Sequence, residues 1–384
     1  MMFKIAPYNT ASTQLTMNEK VGQLFMPAAF INDTEEEIQG LEKLIGKYHV
    51  GGLCFFHSRA SAATNFEGKK KIVYNEQSLT TLKNLIRRYQ NAAKYPLLIS
   101  IDAEWGLAMR IENTPQYPYA ITLGAIQNKE DLIFKVGRQI AMDCRETGIH
   151  WNLAPVVDIN NNPNNPVIGY RSFGEDKLNV TKKAKAFIKG TQSVGVLSCI
   201  KHFPGHGDTA TDSHLGLPII TKSKEALIEN ELHPFRETIK NGVDSVMVGH
   251  LSVPSLDNGE GTPATISKTI ITGLLRQELN FNGVVISDAL NMHSVSKMFP
   301  EKGELEWRAF DAGNDILCFA ENTEEGIQKI MGNADPGEIE ERFKRVWKLK
   351  EQAFATYTLP NTIKEEQSSL NKKLAEESLT LLTG

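Results

Sequence analysis

Short β-branched apolar runs alternate along this chain with longer amphipathic stretches, the pattern of parallel strands joined by crossover helices. Eight runs read as strands: Val21–Phe30, Val50–Phe56, Leu97–Asp102, Ile149–Ile159, Leu197–Phe203, Ser245–His250, Gly283–Asp288 and Asp315–Phe319. Between them the 3.6-residue period predicts helices over Thr34–Lys47, Ser78–Ala93, Lys129–Thr147, Lys177–Val194, Ser223–Asn241, Ser267–Leu279 and Leu305–Ala312. Glycine turns announce several strands, as Asn241-Gly242 does before Ser245, because glycine readily takes the left-handed conformation that ends a helix. No strand is followed by a G-x-G-x-x-G or P-loop phosphate cradle. Repeated βα units without that cradle predict an α/β fold, a closed (β/α)8 TIM-like barrel rather than an open doubly wound sheet.

Two connections are longer than ordinary turns: His57–Gln77, with a Lys69-Lys70-Lys71 run, and the Asn- and Pro-rich Asn160–Asp176. Both follow strands, so both belong to the carboxyl-end rim where barrel active sites lie. The lysine run is read as a solvated face. Beyond the last unit a charged helix is expected from Gly337 to about Tyr357, broken at Leu359-Pro360, with a second helical piece from near Lys364.

The chain's 384 residues exceed one ordinary domain yet fit a single large barrel. With 42 basic against 46 acidic side chains the net charge is −4, which leaves no broad cationic surface for nucleic acid or anionic lipid. Neither is expected as a partner. Cys54, Cys144, Cys199 and Cys318 are far apart with no C-x-x-C pair, so they read as isolated buried thiols. The segment Met1–Thr16 lacks the apolar core of a secretion signal, and no run approaches a membrane span. As given, the chain reads as cytoplasmic, with a periplasmic or secreted location left open should a leader have been removed.

Ionisable groups collect where the strands end: Asp102, Asp158, Lys201, His202, His250 and Asp288 each interrupt or close an apolar run at its carboxyl end. A charge there has little stability rationale unless it meets water, a partner or a ligand, although a strand-end aspartate also serves as a helix cap. The densest stretch runs from Lys201 to His214 and holds three histidines and two aspartates. Zinc ligation is the first rival, but the Gly- and Pro-spaced loop contains no helical H-x-x-x-H, and neither a metal nor a cofactor is expected. In Asp212-Ser213-His214 the spacing suggests a carboxylate orienting an imidazole as general acid/base. Its natural counterpart is a carboxylate nucleophile on a rigid strand end, and Asp288 is the best placed.

These residues make the chain similar to glycoside hydrolase family 3, within it to the β-N-acetylglucosaminidases that trim cell-wall muropeptides. The likeness rests on Asn18–Leu24, Ala154–Asp158, Arg171–Gly174, Lys201–Gly207, Asp212–His214 and Ser287–Leu290, and it extends from Asn18 to about Lys350. The resemblance implies a retaining hydrolase of terminal GlcNAc, from oligosaccharides or cell-wall fragments. Asp288 would attack the anomeric carbon, and His214, supported by Asp212, would protonate the departing oxygen. Asp102, Arg171, Lys201 and His202 would hold the sugar's hydroxyls, and Arg110, Asp158, His250 and Met247 complete the expected substrate-binding set. By the same resemblance residues 1–358 form the catalytic barrel and 359–384 a linker with the start of a second domain, Ala375–Leu382 being its opening strand.

An imidazole that has given up its proton is uncharged and does not repel an incoming anion, so phosphorolysis stays open beside hydrolysis. Two further alternatives remain: a Schiff-base aldolase or isomerase using Lys201, and a carbohydrate-binding barrel without chemistry. One departure from the family pattern is local. Asp102-Ala103-Glu104-Trp105-Gly106 carries a tryptophan where two consecutive glycines are usual, and Trp105 either stacks on a sugar or packs beneath its loop.

Overall fold

The computed structural model describes residues 5–59, 73–209, 216–355 and 366–379. Its centre is a curled parallel sheet of seven strands in chain order: β2 (Ala28–Phe30), β3 (Gly52–Phe56), β4 (Leu98–Ile101), β5 (Trp151–Asn152), β6 (Leu197–Phe203), β7 (Ser245–Val248) and β8 (Val284–Ser287). A separate parallel pair joins β1 (Phe25–Met26) to β9 (Leu317–Cys318). Nearly every strand residue is buried, as expected when a parallel sheet is covered on both faces. The curl brings non-adjacent strands together inside. The indole N–H of Trp151 on β5 donates to Ser245 Oγ on β7 at 3.1 Å.

The eight-stranded closed barrel expected from the pattern is therefore seen as seven strands in one sheet plus a short pair. Two local causes are visible. Pro27, which has no N–H to give a ladder, divides the first predicted strand into β1 and β2. Asp315, predicted to open the last strand, is instead fully buried as an acceptor for Arg276, Arg345 and the Val285 N–H, and only Leu317–Cys318 remain as strand.

Helices Glu35–Tyr48, Ser78–Ala92, Glu130–Thr147 and Lys177–Gln192 follow the predicted spans closely. Others differ for readable reasons. Val21 and Gly22 belong to helix Met17–Gly22, which Thr16 and Glu19 close with a capping box. The span Ser223–Asn241 is two helices, Lys224–Glu229 and Leu232–Lys240, because Pro234 lacks the N–H a continuous helix would need and sits in the first turn of the second. Thr269–Glu278 is a π-helix. At the carboxyl side Pro336–Ala353 forms the charged helix, and Gln367–Ser378 a further one. The expected strand from Ala375 is thus helical as far as Ser378, with Leu370 and Leu374 buried and Gln367 and Asn371 donating to the Gln116 carbonyl.

Candidate active site

Five ionisable side chains interlock at the carboxyl end of the sheet. Asp102 follows β4, Glu104 and Arg110 lie in the loop beyond it, Arg171 ends a 3-10 turn in the loop after β5, and Lys201 stands on β6. Lys201 Nζ bridges the two carboxylates, 2.7 Å from Asp102 Oδ1 and 2.8 Å from Glu104 Oε1. Arg110 Nη2 donates to Asp102 Oδ2 at 2.8 Å. Arg171 forks onto Glu104, Nε to Oε2 at 3.0 Å and Nη2 to Oε1 at 2.8 Å. Such a planar fork matches a carboxylate and fixes both partners. Three cations thus face two carboxylates, leaving donors in excess.

Burial alone would neutralise these groups, and their mutual attraction outweighs it. Despite burial, Lys201 and Arg110 hold Asp102 well below the usual carboxylate range. Glu104, buried yet flanked by Arg171 and Lys201, falls to about 2. Burial pulls the Lys201 ammonium down, but Asp102 and Glu104 push it up to about 12. An amine must shed its proton to attack a carbonyl, so a lysine held in this state is ill suited to Schiff-base chemistry. Its geometry is that of a fixed hydrogen-bond donor.

A second group lies behind the first. His202 Nδ1 stands 2.8 Å from Asp158 Oδ2, and its Nε2 faces Arg171 Nη2 at 3.5 Å. Asp158 also accepts the backbone N–H groups of His202 and His206, the latter at 2.7 Å, and is 1% exposed. Burial would raise its pKa, yet His202 and then His206 hold it below the ordinary value. Asp158, one of the expected substrate-binding set, makes these contacts within the protein and orients His202. His206 is itself buried with Nδ1 2.8 Å from Thr209 Oγ1, and burial, reinforced by His202, pushes its pKa down to about 4.

Asp288 follows β8, half-buried, with its N–H bonded to the Val248 carbonyl and its Oδ1 accepting from the Ala289 N–H at 2.8 Å. The Ala289 carbonyl is in turn held by His250 Nε2–H at 2.9 Å, while His250 Nδ1 meets Thr265 Oγ1 at 2.6 Å. His250 is fully buried and braces the segment carrying Asp288. Met247 is buried on β7 with Ile286 as its register partner on β8. The Cys318 thiol, raised chiefly by its contact with Cys54 and by burial, is raised further by both Asp102 and Asp288. His206 also feels the Asp288 charge. Asp102 and Asp288 both follow strands of the one parallel sheet, at its carboxyl end. Asp212 and His214 lie outside the described residues.

Sequence reasoning passed over Glu104 and His206 as site residues. Glu104 carried a signal in its two-residue spacing from Asp102, which in an extended segment places both side chains on one side. For His206 the only hint was its place in the dense Lys201–His214 stretch.

Residues 16–349 match the family described as Glycosyl hydrolase family 3 N terminal domain. Among curated proteins the chain is 38% identical over 291 residues to a beta-hexosaminidase A of Pseudoalteromonas piscicida, covering 72% of this chain and 46% of that protein. It is 31% identical over 307 residues to a beta-hexosaminidase of Haemophilus influenzae, covering 78% and 79% respectively. The chain thus spans less than half the length of the first of these. Among solved structures, a glycoside hydrolase family 3 beta-N-acetylglucosaminidase from Paenibacillus sp. str. FPU-7 superposes with a TM-score of 0.80 at 34% identity, over 96% of this chain and 70% of that one.

Proposed function

The chain belongs to glycosyl hydrolase family 3, and we propose that it is a retaining β-N-acetylglucosaminidase that removes terminal GlcNAc from oligosaccharides or cell-wall muropeptides. The observation that carries this reading is the Arg110–Asp102–Lys201–Glu104–Arg171 network at the same end of the sheet as Asp288. A hexose presents a ring of hydroxyls, each both donor and acceptor, and a fixed array of ammonium, guanidinium and carboxylate groups is complementary to it. Relatives named as beta-hexosaminidases and a beta-N-acetylglucosaminidase support the choice of sugar.

In this mechanism Asp288 attacks the anomeric carbon while His214, oriented by Asp212, gives its proton to the leaving oxygen. The glycosyl–aspartate ester is then hydrolysed by a water that His214 deprotonates, and two inversions give net retention. Strand-end placement, the Ala289 N–H bond and the His250 brace hold Asp288 for attack. Lys201, Arg171 and Asp102 orient the sugar, and His202 does so with Asp158 behind it.

Closure of the sheet into an eight-stranded barrel is part of the same proposal. Its support is a parallel bridge between Ile286 and Ile316, with the Leu317 N–H donating onward to the Leu24 carbonyl.

One NMR time course on a GlcNAc glycoside, with and without phosphate, tests the mechanism. We expect β-GlcNAc as the first product in both. An α-configured first product would refute the double displacement, and GlcNAc 1-phosphate appearing with phosphate would make the enzyme a phosphorylase. A fluorinated GlcNAc ester should be trapped on Asp288, and labelling elsewhere would remove its role.

A further inference from the structure

Three aromatic rings gather on the rim beside the ion network. Trp105 directly follows Glu104, and Tyr170 directly precedes Arg171, so the Glu104–Arg171 fork ties their two loops together. Tyr119 comes from the start of helix Ala120–Ala125, placed by the Tyr117 N–H bond to the Trp105 carbonyl at 2.8 Å. Ring centroids lie 5.0 Å apart for Trp105 and Tyr119, 6.0 Å for Trp105 and Tyr170, and 4.6 Å for Tyr119 and Tyr170. None of the three is sunk in the core. Tyr119 is 38% exposed and Tyr170 52%, while Trp105 is half-buried.

Rings in mutual contact hold one another's orientation, yet keeping them in water forfeits the gain that burial would bring. An exposed aromatic cluster of this kind is a contact surface waiting for a cover. Its neighbours specify the cover. The rings border the ion network, and they add no cation or carboxylate of their own. What they offer is flat apolar faces and the phenolic hydroxyls of Tyr119 and Tyr170. A pyranose ring matches that combination, with C–H bonds on its faces and hydroxyls on its edge.

We propose that Trp105, Tyr119 and Tyr170 form the binding platform for a sugar ring on the leaving-group side, so that the enzyme favours a carbohydrate leaving group over a small one. This rests on the β-N-acetylglucosaminidase reading and adds to it the chemical class of the second subsite. Binding energy gathered there, away from the reacting bond, lowers the KM for oligosaccharides and leaves the chemistry of the first sugar unchanged.

The test compares wild type with a Trp105→Ala/Tyr170→Ala double variant on two substrates. N,N′,N″-triacetylchitotriose releases a sugar, and N-acetyl-β-D-glucosaminyl azide releases only azide. The double variant should show a KM for the trisaccharide raised about tenfold or more, with azide cleavage changed less than about twofold. Trp105→Phe should restore most of the trisaccharide affinity. Equal losses on both substrates in a variant with unaltered far-UV circular dichroism and urea midpoint, or no loss on either, would overturn the platform while leaving the hydrolase intact. A wild type silent on both would instead bring down the underlying function. Sedimentation of both proteins covers the remaining occupant: a wild-type dimer that becomes monomeric in the double variant would assign the rings to a second copy of the chain and overturn the proposal.

Discussion

His202 takes its orientation from Asp158, Nδ1 lying 2.8 Å from a carboxylate that also accepts the backbone N–H groups of His202 and His206. A carboxylate oxygen accepts, so the imidazole presents Nδ1–H to it and turns its Nε2 toward Arg171. Asp158→Ala removes the acceptor from three buried donors. Unfolding free energy should fall by about 3 kcal/mol or more, at about 1–3 kcal/mol per orphaned group. Urea denaturation measures it, and a change under about 0.5 kcal/mol would mean that the pairing contributes nothing.

Glu104 joins Arg171 to Lys201, and it makes acid sensitivity predictable. Its folded pKa of about 2 lies below the unfolded value of about 4.3. A depressed carboxylate stabilises the fold above its unfolded pKa, and that stabilisation is lost as pH falls through the folded one. Wild type should therefore lose stability progressively between about pH 4.5 and 2, with Asp102, also depressed, contributing to the same fall. Glu104→Gln should flatten this slope. It should also lower kcat/KM on a GlcNAc glycoside by on the order of 100-fold, because Arg171 and Lys201 lose their shared anchor. An unchanged acid limb would mean that the carboxylate titrates normally.

At the opposite pole of the sheet Lys350 is fully buried with a neutral partner, its Nζ 2.5 Å from Gln23 Oε1. Burial lowers its pKa to about 7, and its charge helps depress that of His150 nearby, which burial already lowers to about 4. Between about pH 7 and the unfolded lysine value of about 10.4 the unfolded chain binds a proton that the folded one has released. Stability should thus rise with pH across that window. Lys350→Met should raise unfolding free energy by about 1 kcal/mol or more at pH 6 and give little gain at pH 10, since the penalty it removes belongs to the charged form. Denaturation curves at the two pH values decide it, and parallel gains would exclude the titration.

What could be read in advance follows the range of the interactions. Leu197–Phe203 is a strand exactly where the apolar run predicts one, and Lys201 and His202 stand out because they break that run near its end. Their partners did not stand out. Glu104 meets Arg171 from 67 residues away and Lys201 from 97, and a lone carboxylate in a loop gives no periodicity to reveal such a meeting. Asp158 and His250 were legible as polar strand-end residues, but not as supports, because which side of a strand end opens to solvent depends on the neighbouring loops. The helix break near Asn230 was written in Pro234, though the leucine pattern on either side runs through it.

Gly207 shows how the base of the loop toward His214 is held. A Cβ at this position would lie 1.7 Å from the Ile159 carbonyl oxygen, so Gly207→Ala must push the backbone off the segment after β5. The bond from the Asn162 N–H to the Gly207 carbonyl, 3.3 Å long, would weaken with it. Overpacking of this kind costs about 1–3 kcal/mol, which a chain of this size survives. Function should suffer more selectively. If His214 is the proton donor, a shifted loop base impairs protonation, and protonation matters most for poor leaving groups. Cleavage of chitobiose should fall by on the order of 100-fold and that of a dinitrophenyl glycoside only a few-fold, the same profile expected of His214→Ala. Equal loss on both glycosides in a folded Gly207→Ala protein would show that this contact supports the sugar site as a whole and not the delivery of a proton.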